Sequence, residues 1–378
     1  MEKLKIGVIG AGRWAKSAHL PGFSRSPLSD VVAICDLNHE LAEQRAEEFS
    51  VDGVYTDIKE MLQKEDLDVV DICTRASPED PDNHEKLVFT ALEAGKHCLC
   101  EKPVAHDYRT TWKAHKLAEL KGLKTKVGFT FRYAPAMMYM HELIQEGFIG
   151  KPFIFNGFEQ NSQFINPDEP VTKADLIPAI SSEEIKMSSL EGYGAPIIDL
   201  SLWFMESNIT RVVGTLKNFV PYRTNMLGEK VRTNIDDGDI YIGEYENGAI
   251  CSIQSSYVTV GNYPGLEARA YGSNGALICR LVDEFGVCQT LHSAKPDAVE
   301  FVPIEIPKRL FPPGYIEGEP WPSFFYSNLI HNFMEEIVSG GDENQGNFAQ
   351  NARVQEIINA VELSHRQNRW VNLPLDPQ

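Results

Sequence analysis

The run Gly10-Ala11-Gly12-Arg13-Trp14-Ala15, directly after the apolar stretch Ile6–Ile9, most constrains what this chain can fold into. A turn from strand into helix needs glycine at Gly10 for backbone freedom and at Gly12 for close approach of an anion. The helix that follows offers free N–H groups and a positive dipole end. Ala15 holds the third position, where the fingerprint tolerates alanine. Two glycines in a βα turn are common by themselves. Their companion is Asp36, which ends a second apolar run, Val31–Cys35, about 20 residues past the turn. A carboxylate there accepts both ribose hydroxyls of NAD and repels the 2′-phosphate of NADP. No Arg or Lys follows it closely, so NAD is expected in preference to NADP. Gly10, Gly12, Arg13, Trp14 and Asp36 are the expected cofactor contacts.

The first third of the chain alternates strand and helix. A helical stretch starts at Asn38. Val69–Cys73 is apolar except for Asp71, as in a strand covered on both faces. His84, Leu87, Val88, Ala91 and Leu92 share a helical face that stops at Gly95. His97–Cys100 reads as a fourth strand and runs into Glu101-Lys102-Pro103. Asp107 is a plausible cap for the next helix, and Lys126–Phe129 closes the series. This rhythm predicts an α/β fold with a doubly wound parallel sheet over residues 1–129. Ligands of such a sheet lie beyond the carboxyl ends of its strands, which adds Thr74 and Arg75 to the cofactor residues.

From about residue 130 the pattern changes. Ile240–Tyr245, Asn247-Gly248 and Ala249–Tyr257 read as a long hairpin. Asn274-Gly275 marks a second turn, between Glu267–Tyr271 and Ala276–Cys279. A closing helix carries Val354, Ile357, Ile358 and Val361 on one face. Residues 130–378 are therefore expected to form an α+β domain with a large, mostly antiparallel sheet. The polar stretch Gln160–Leu190 reads as a lid, a substrate loop or an oligomer contact.

Composition removes several function classes. The net charge of −19 disfavours phosphate backbones and anionic membranes as partners, because those need clustered Lys and Arg. No apolar run is long enough to cross a bilayer, and the N-terminus lacks a signal-peptide layout. The seven cysteines include no C-x-x-C pair and read as buried thiols of a cytoplasmic protein. His and Cys never cluster at ligand spacing, so no metal is expected.

Further motifs follow in order: Ala94-Gly95-Lys96-His97, Glu101-Lys102-Pro103, Gly128-Phe129 with Arg132-Tyr133, and Ile149-Gly150-Lys151-Pro152. Tyr271-Gly272-Ser273-Asn274-Gly275 and Asn368-Arg369-Trp370-Val371 come later. With the glycine turn, this set resembles the Gfo/Idh/MocA oxidoreductases over nearly the whole chain. The resemblance implies an N-terminal Rossmann domain, a C-terminal α+β domain, and homodimers or homotetramers formed through its sheet. It implies NAD(P)-linked hydride transfer on a sugar, glycoside or polyol bound between the domains.

The resemblance places Lys102 beside the nicotinamide and the reacting hydroxyl, with Glu101 orienting it. An ammonium in a partly dry cleft can stabilise alkoxide charge and relay a proton. The resemblance also places His84 near the cofactor, although its apolar companions allow a packing role. The family's Asp-x-x-x-His segment matches at Asp199, but its His position holds Trp203. Indole donates a hydrogen bond and cannot accept a proton. Three readings stay open: Lys102 is the sole acid/base, aided by Tyr193 or another hydroxyl; Trp203 is a stacking floor for a sugar ring; or the site binds without turnover. Asp199 alone reads equally as a helix-start carboxylate, and Arg132 as a substrate contact or a structural residue. The expected catalytic residues are Lys102, Asp199 and Trp203, and the expected substrate residues add Arg132 and Tyr193. Redox-assisted glycoside cleavage with retained NAD, and a non-catalytic sensor of NAD and sugar, are the alternative functions.

Overall fold

The computed structural model describes residues 3–74, 83–168, 185, 187–225, 228–260, 265–281, 289–341 and 346–375. The chain divides into two compact units, Met1–Ala134 with Phe311–Arg353, and Pro135–Leu310 with Val354–Gln378. The sequence boundary at 129/130 left the segment 311–353 with the second domain, whereas its packing is with the first unit.

The first unit holds β1 (Leu4–Ile9), β2 (Ser29–Cys35), β3 (Gly53–Tyr55), β4 (Val69–Ile72), β5 (His97–Cys100) and β6 (Thr125–Val127). Every pairing is parallel and the order is β3-β2-β1-β4-β5-β6. That is the doubly wound order, with the switch point between β1 and β4. The three-residue β3 is too short for a periodic signal, so His97–Cys100 is the fifth strand rather than the fourth. The helix His39–Phe49 begins where Asn38 caps it, accepting from the Leu41 N–H at 3.2 Å. Asp107 caps Tyr108–Leu120 by accepting from the Arg109 N–H at 2.8 Å.

The returning segment brings the helix Trp321–Ser339 onto this unit. Its Leu329, Ile330 and Phe333 are buried with Ala18, Leu20 and Phe23 of the first helical segment. Each such side chain contributes roughly 1.5–3 kcal/mol on burial, which outweighs the slowly growing entropy of closing a long loop. Gly22 permits the approach, because a Cβ there would lie 2.6 Å from Ile330 Cδ1.

The second unit is built on a nine-stranded sheet in the order β16-β15-β14-β13-β7-β12-β11-β8-β17. The strands are β7 (Pro152–Gln160), β8 (Ile209–Lys217), β11 (Gly238–Tyr245), β12 (Ile250–Ser256), β13 (Gly265–Gly272), β14 (Ala276–Leu281), β15 (Gln289–Ala294), β16 (Val302–Pro303) and β17 (Val371–Asn372). β9 (Tyr222–Thr224) and β10 (Lys230–Arg232) form a separate ribbon. Among the described residues of this sheet only β7 and β12 pair in parallel, so it is mostly antiparallel. The Asn247-Gly248 turn joins β11 to β12 with Gly248 at φ +84°, a left-handed conformation that suits glycine. One face is covered by the helix Ala195–Met205. A Cβ at Gly157 would lie 2.4 Å from Ile197 Cγ1, so glycine in β7 lets that helix settle on the sheet. The helix Phe348–Gln367 contains the closing apolar positions.

Candidate functional site

In the first unit, the expected cofactor residues gather at the carboxyl ends of the parallel strands. Gly10 has φ +102°, and a Cβ there would meet the Thr74 nitrogen at 2.9 Å. Its own N–H donates to Cys35 O at 2.8 Å. Gly10 is thus wedged between the carboxyl ends of β2 and β4, beside the switch point. Gly12 is the opposite case, since a Cβ there would meet nothing within 4 Å. The first glycine is fixed by protein, and the second opens on space for a ligand.

Asp36 closes the other side. Its Oδ2 accepts from the Ala11 N–H at 2.7 Å and its Oδ1 from the Asn38 N–H at 2.8 Å. Each oxygen keeps lone-pair capacity for a further donor. Buried Arg45 braces the loop from behind, donating from Nε to Ala11 O at 3.1 Å. A narrow turn, an open glycine and an oriented carboxylate fit a dinucleotide. Arg13 is exposed in the first turn after the loop. The helix then passes through a π-helical turn, Ala15–His19, before continuing as Leu20–Arg25. Such turns re-aim side chains and recur at functional sites.

Thr74 and His84 tie two strand ends together. The His84 Nε2 faces Thr74 O at 3.0 Å and its Nδ1 faces Pro103 O at 2.8 Å. Both partners only accept, so a cationic ring donates to both and a neutral ring to one. Arg75 lies outside the described residues. Lys102 is half-buried just beyond β5, and the Lys102–Pro103 peptide is cis. Arg132 is buried in the short turn Thr130–Tyr133, inside the unit rather than on a surface.

Glu101 has more partners than the sequence suggests. Its Oε1 accepts from the Tyr326 hydroxyl and from Trp14 Nε1 at 3.3 Å. Trp14 Nε1 also donates to the Tyr326 oxygen at 2.9 Å. His19 Nε2 lies 3.4 Å from the same Oε1. On its other side, His19 Nδ1 meets Asp71 Oδ2 at 2.8 Å. His19, Asp71 and Tyr326 are fully buried. Burial pulls the His19 pKa down, but the charge and hydrogen bond of Asp71, with help from Glu101, outweigh it and raise it to about 9. Burial pushes Asp71 up against the opposing pull of His19.

Sequence reasoning missed His19 and Tyr326. Tyr326 arrives from a helix more than two hundred positions away, and His19 sits in a turn whose π geometry no periodicity announces. Asp71, a carboxylate inside an apolar strand, was the one visible signal. Among the described residues, His19, Asp71 and Cys73 are the one group with ligand-type atoms close enough for a metal. Cys73 Sγ instead donates to Gly10 O at 3.2 Å, and burial holds its pKa well above the usual thiol value. A neutral thiol is a poor metal ligand, and the cluster reads as packing.

In the second unit, Tyr193 lies in a π-helical turn, Leu190–Gly194, that leads into Ala195–Met205. The start of this segment is capped from a distance. Asp236 accepts from the Ser188 and Ser189 N–H groups and from the Leu190 N–H at 2.8 Å. Asp199 is fully buried inside the helix, past its first turn, so the helix-start reading does not hold. Trp203 follows one turn later, half-buried, with its ring stacked on His141 at a centroid distance of 4.0 Å and 16°. The Tyr193 hydroxyl donates to Gln163 Oε1 at 3.1 Å.

Comparison with known proteins agrees with both halves. The model of an oxidoreductase family with an NAD-binding Rossmann fold matches residues 4–129, and that of the GFO/IDH/MocA C-terminal domain matches residues 137–278. A levoglucosan dehydrogenase from Pseudarthrobacter phenanthrenivorans is 24% identical over 99% of both chains. An inositol 2-dehydrogenase from Rubrobacter xylanophilus is 28% identical over 68% of this chain and 66% of its own. The crystal structure of an oxidoreductase domain protein from Kribbella flavida has a TM-score of 0.85 at 24% identity, covering 99% of this chain and all of that one. The complex of levoglucosan dehydrogenase with NADH and levoglucosan has a TM-score of 0.83 at 22% identity, with 99% of this chain and 100% of that one covered. No helix among the described residues is long and apolar enough to cross a membrane. With both domain models matched in order, the chain belongs to the Gfo/Idh/MocA family of NAD-binding oxidoreductases.

Proposed function

We propose that this protein exchanges a hydride between NAD and a secondary hydroxyl or ketone of a sugar, glycoside or polyol, with Lys102 managing charge on the reacting oxygen. One observation carries the reading: Glu101-Lys102-Pro103 follows β5 on the same sheet edge as Gly10, Asp36 and Thr74. Bound NAD supplies the hydride acceptor or donor. The chain supplies position and electrostatics. Gly12 leaves room for the diphosphate, and Asp36 orients the adenosine ribose. The half-buried Lys102 ammonium donates to the substrate oxygen and stabilises developing alkoxide. The names of the similar proteins, dehydrogenases of levoglucosan and inositol, support a polyhydroxylated substrate.

Trp203 favours a division of labour. Its indole cannot accept a proton, and one face is already stacked on His141. Lys102 then carries the proton work, while Asp199, Tyr193 and Arg132 serve substrate placement. The test is a panel of sugars, anhydrosugars, glycosides and inositols with NAD and NADP, read as absorbance of reduced cofactor. Sustained NAD-linked turnover of at least one polyol is the expected result. NADH formed in less than one equivalent per protein would favour glycoside cleavage with retained cofactor, and no reduction with any compound would favour a sensor.

The sheet supports a homo-oligomer. Ile154, Ile240, Ile242 and Ile250 stand on one face of β7, β11 and β12, each between 39% and 49% exposed. Exposed isoleucines gathered on one sheet face, interspersed with polar side chains, suit a second copy of the chain. The described cysteines are all free and buried, in keeping with a reducing, cytoplasmic setting.

A further inference from the structure

We propose that His19 and Tyr326 are positioning residues that pin one oxygen of Glu101, so that its other oxygen is presented to the bound dinucleotide beside Lys102. The proposal rests on the NAD-dependent reading above and assigns the cofactor contact to a particular atom, Glu101 Oε2.

Three groups converge on Oε1: the Tyr326 hydroxyl, Trp14 Nε1 at 3.3 Å and His19 Nε2 at 3.4 Å. They come from two elements distant in sequence, the helix Trp321–Ser339 and the helical segment after the glycine loop, where Trp14 leads into the π-helical turn that carries His19. Gly128 closes a fourth side. A Cβ there would lie 2.3 Å from Oε1, 2.7 Å from Cδ and 3.0 Å from Oε2, so only glycine leaves room for the carboxylate. The backbone is held as well, since the Glu101 N–H donates to Ile72 O at 2.9 Å. With Oε1 taken up by the Tyr326 hydroxyl and the shared Trp14 N–H and facing the His19 ring, the larger free acceptor capacity is on Oε2. The side chain is 12% exposed, and it sits at the carboxyl end of β5, where the ligands of such sheets lie.

The charges make the clamp directional. His19 is faced by Asp71 of β4, by Glu101, by the Tyr326 ring at a centroid distance of 4.5 Å, and by Cys73 at the end of β4. The cysteine thiol stays neutral, so an imidazolium lies between two carboxylates. The buried Asp71 holds the cation in place, 3.4 Å from Glu101 Oε1. An ionised Glu101 is the stronger acceptor for a cofactor hydroxyl or amide. Nothing in this arrangement requires His19 to touch substrate or cofactor. It acts through Glu101.

The test uses the full-length protein, NADH fluorescence titration and side-chain 15N NMR of the histidines. His19→Gln and Glu101→Gln should each weaken NADH binding about tenfold or more, the worth of one charge-assisted hydrogen bond. The double variant should bind no worse than the weaker single, because both act through one contact. In the parent, His19 should give imidazolium shifts well above neutral pH, and Glu101→Gln should lower its titration midpoint. If His19→Gln does not fold, Tyr326→Phe removes the clamping hydroxyl without changing charge and should weaken NADH binding severalfold at unchanged thermal stability. Parental NADH affinity in the folded His19→Gln or Tyr326→Phe protein overturns the proposal, as does an unmoved His19 midpoint in Glu101→Gln. A parent that binds NADH but oxidises no polyol defeats the substrate reading alone, because the titrations and spectra still decide this one.

Discussion

The Asp36 carboxylate is joined to the glycine loop itself, through Oδ2 accepting the Ala11 N–H at 2.7 Å. The residue expected to read the ribose therefore also fixes the backbone of the glycine loop. Asp36→Ala should do two things at once. NAD affinity should fall about tenfold or more through loss of ribose contacts and loop order, and discrimination against NADP should shrink with the lost repulsion. Asp36→Asn keeps an acceptor for Ala11 and should lose discrimination with a smaller loss of affinity. Paired titrations with NADH and NADPH measure both effects. An unchanged NADH to NADPH ratio in Asp36→Ala would remove Asp36 from the ribose site.

The two loop glycines should respond differently to the same added methyl. At Gly10 the new Cβ meets β4 backbone and the residue sits at φ +102°. Gly10→Ala should therefore destabilise the fold by about 1–3 kcal/mol. At Gly12 the methyl enters open space. Gly12→Ala should unfold like the parent while binding NADH much more weakly, because the methyl occupies the space of the diphosphate. Chemical unfolding beside NADH titration separates the two. A Gly12→Ala protein with parental NADH affinity would put the diphosphate elsewhere.

His19 should leave a signature in stability against pH. Its folded pKa of about 9 stands above the unfolded value near 6.5. A group raised in this way stabilises fully below the unfolded pKa, and the benefit is lost as pH rises through the folded one. Stability should thus decline between pH about 6.5 and 9. His19→Gln should remove a component on the order of 3 kcal/mol from that decline. Asp239, raised to about 7 mainly by burial, acts with the same sign but lower on the scale. His97 and His365, lowered mainly by burial, act with the opposite sign below neutrality. These three are unchanged in the variant and cancel in the difference, whereas Asp71, released from the pull of His19, rises further and is part of the difference measured. Urea unfolding of both proteins across this range measures it. Identical pH dependence would mean that His19 is not charged in the fold.

The apolar face of the second unit gives a separate prediction. Ile240→Glu puts a charge beside Ile242 on the exposed face of β11, where the side chain is already exposed in the single chain. The subunit should fold normally and lose its partners, seen as a smaller mass in sedimentation. An unchanged mass would assign the interface to another surface.

How much of this was legible in the sequence depended on how local each signal is. The glycine turn, Asp36, and the Asn38 and Asp107 caps each rest on a few adjacent residues, and the structure forms these turns and caps as read. The hairpin at Asn247-Gly248 was equally visible. The third strand was not, because three residues carry no period. Long-range features were hidden for a physical reason. Tyr326 reaches Glu101 because Leu329, Ile330 and Phe333 bury the helix Trp321–Ser339 on the first unit, and no local pattern records that destination. Asp236 caps the helix around Tyr193 from more than forty positions away. Trp203 was visible as a departure, but its stacking on His141 was not.

Lys102 bears the central claim. The most direct test is steady-state oxidation of the preferred polyol by Lys102→Ala, with NADH affinity measured on the same preparation. Loss of the ammonium should lower kcat by about a hundredfold or more, as expected for a group that stabilises charge at the reacting oxygen, while NADH affinity stays within a few-fold of the parent. Turnover at the parental rate would contradict the account.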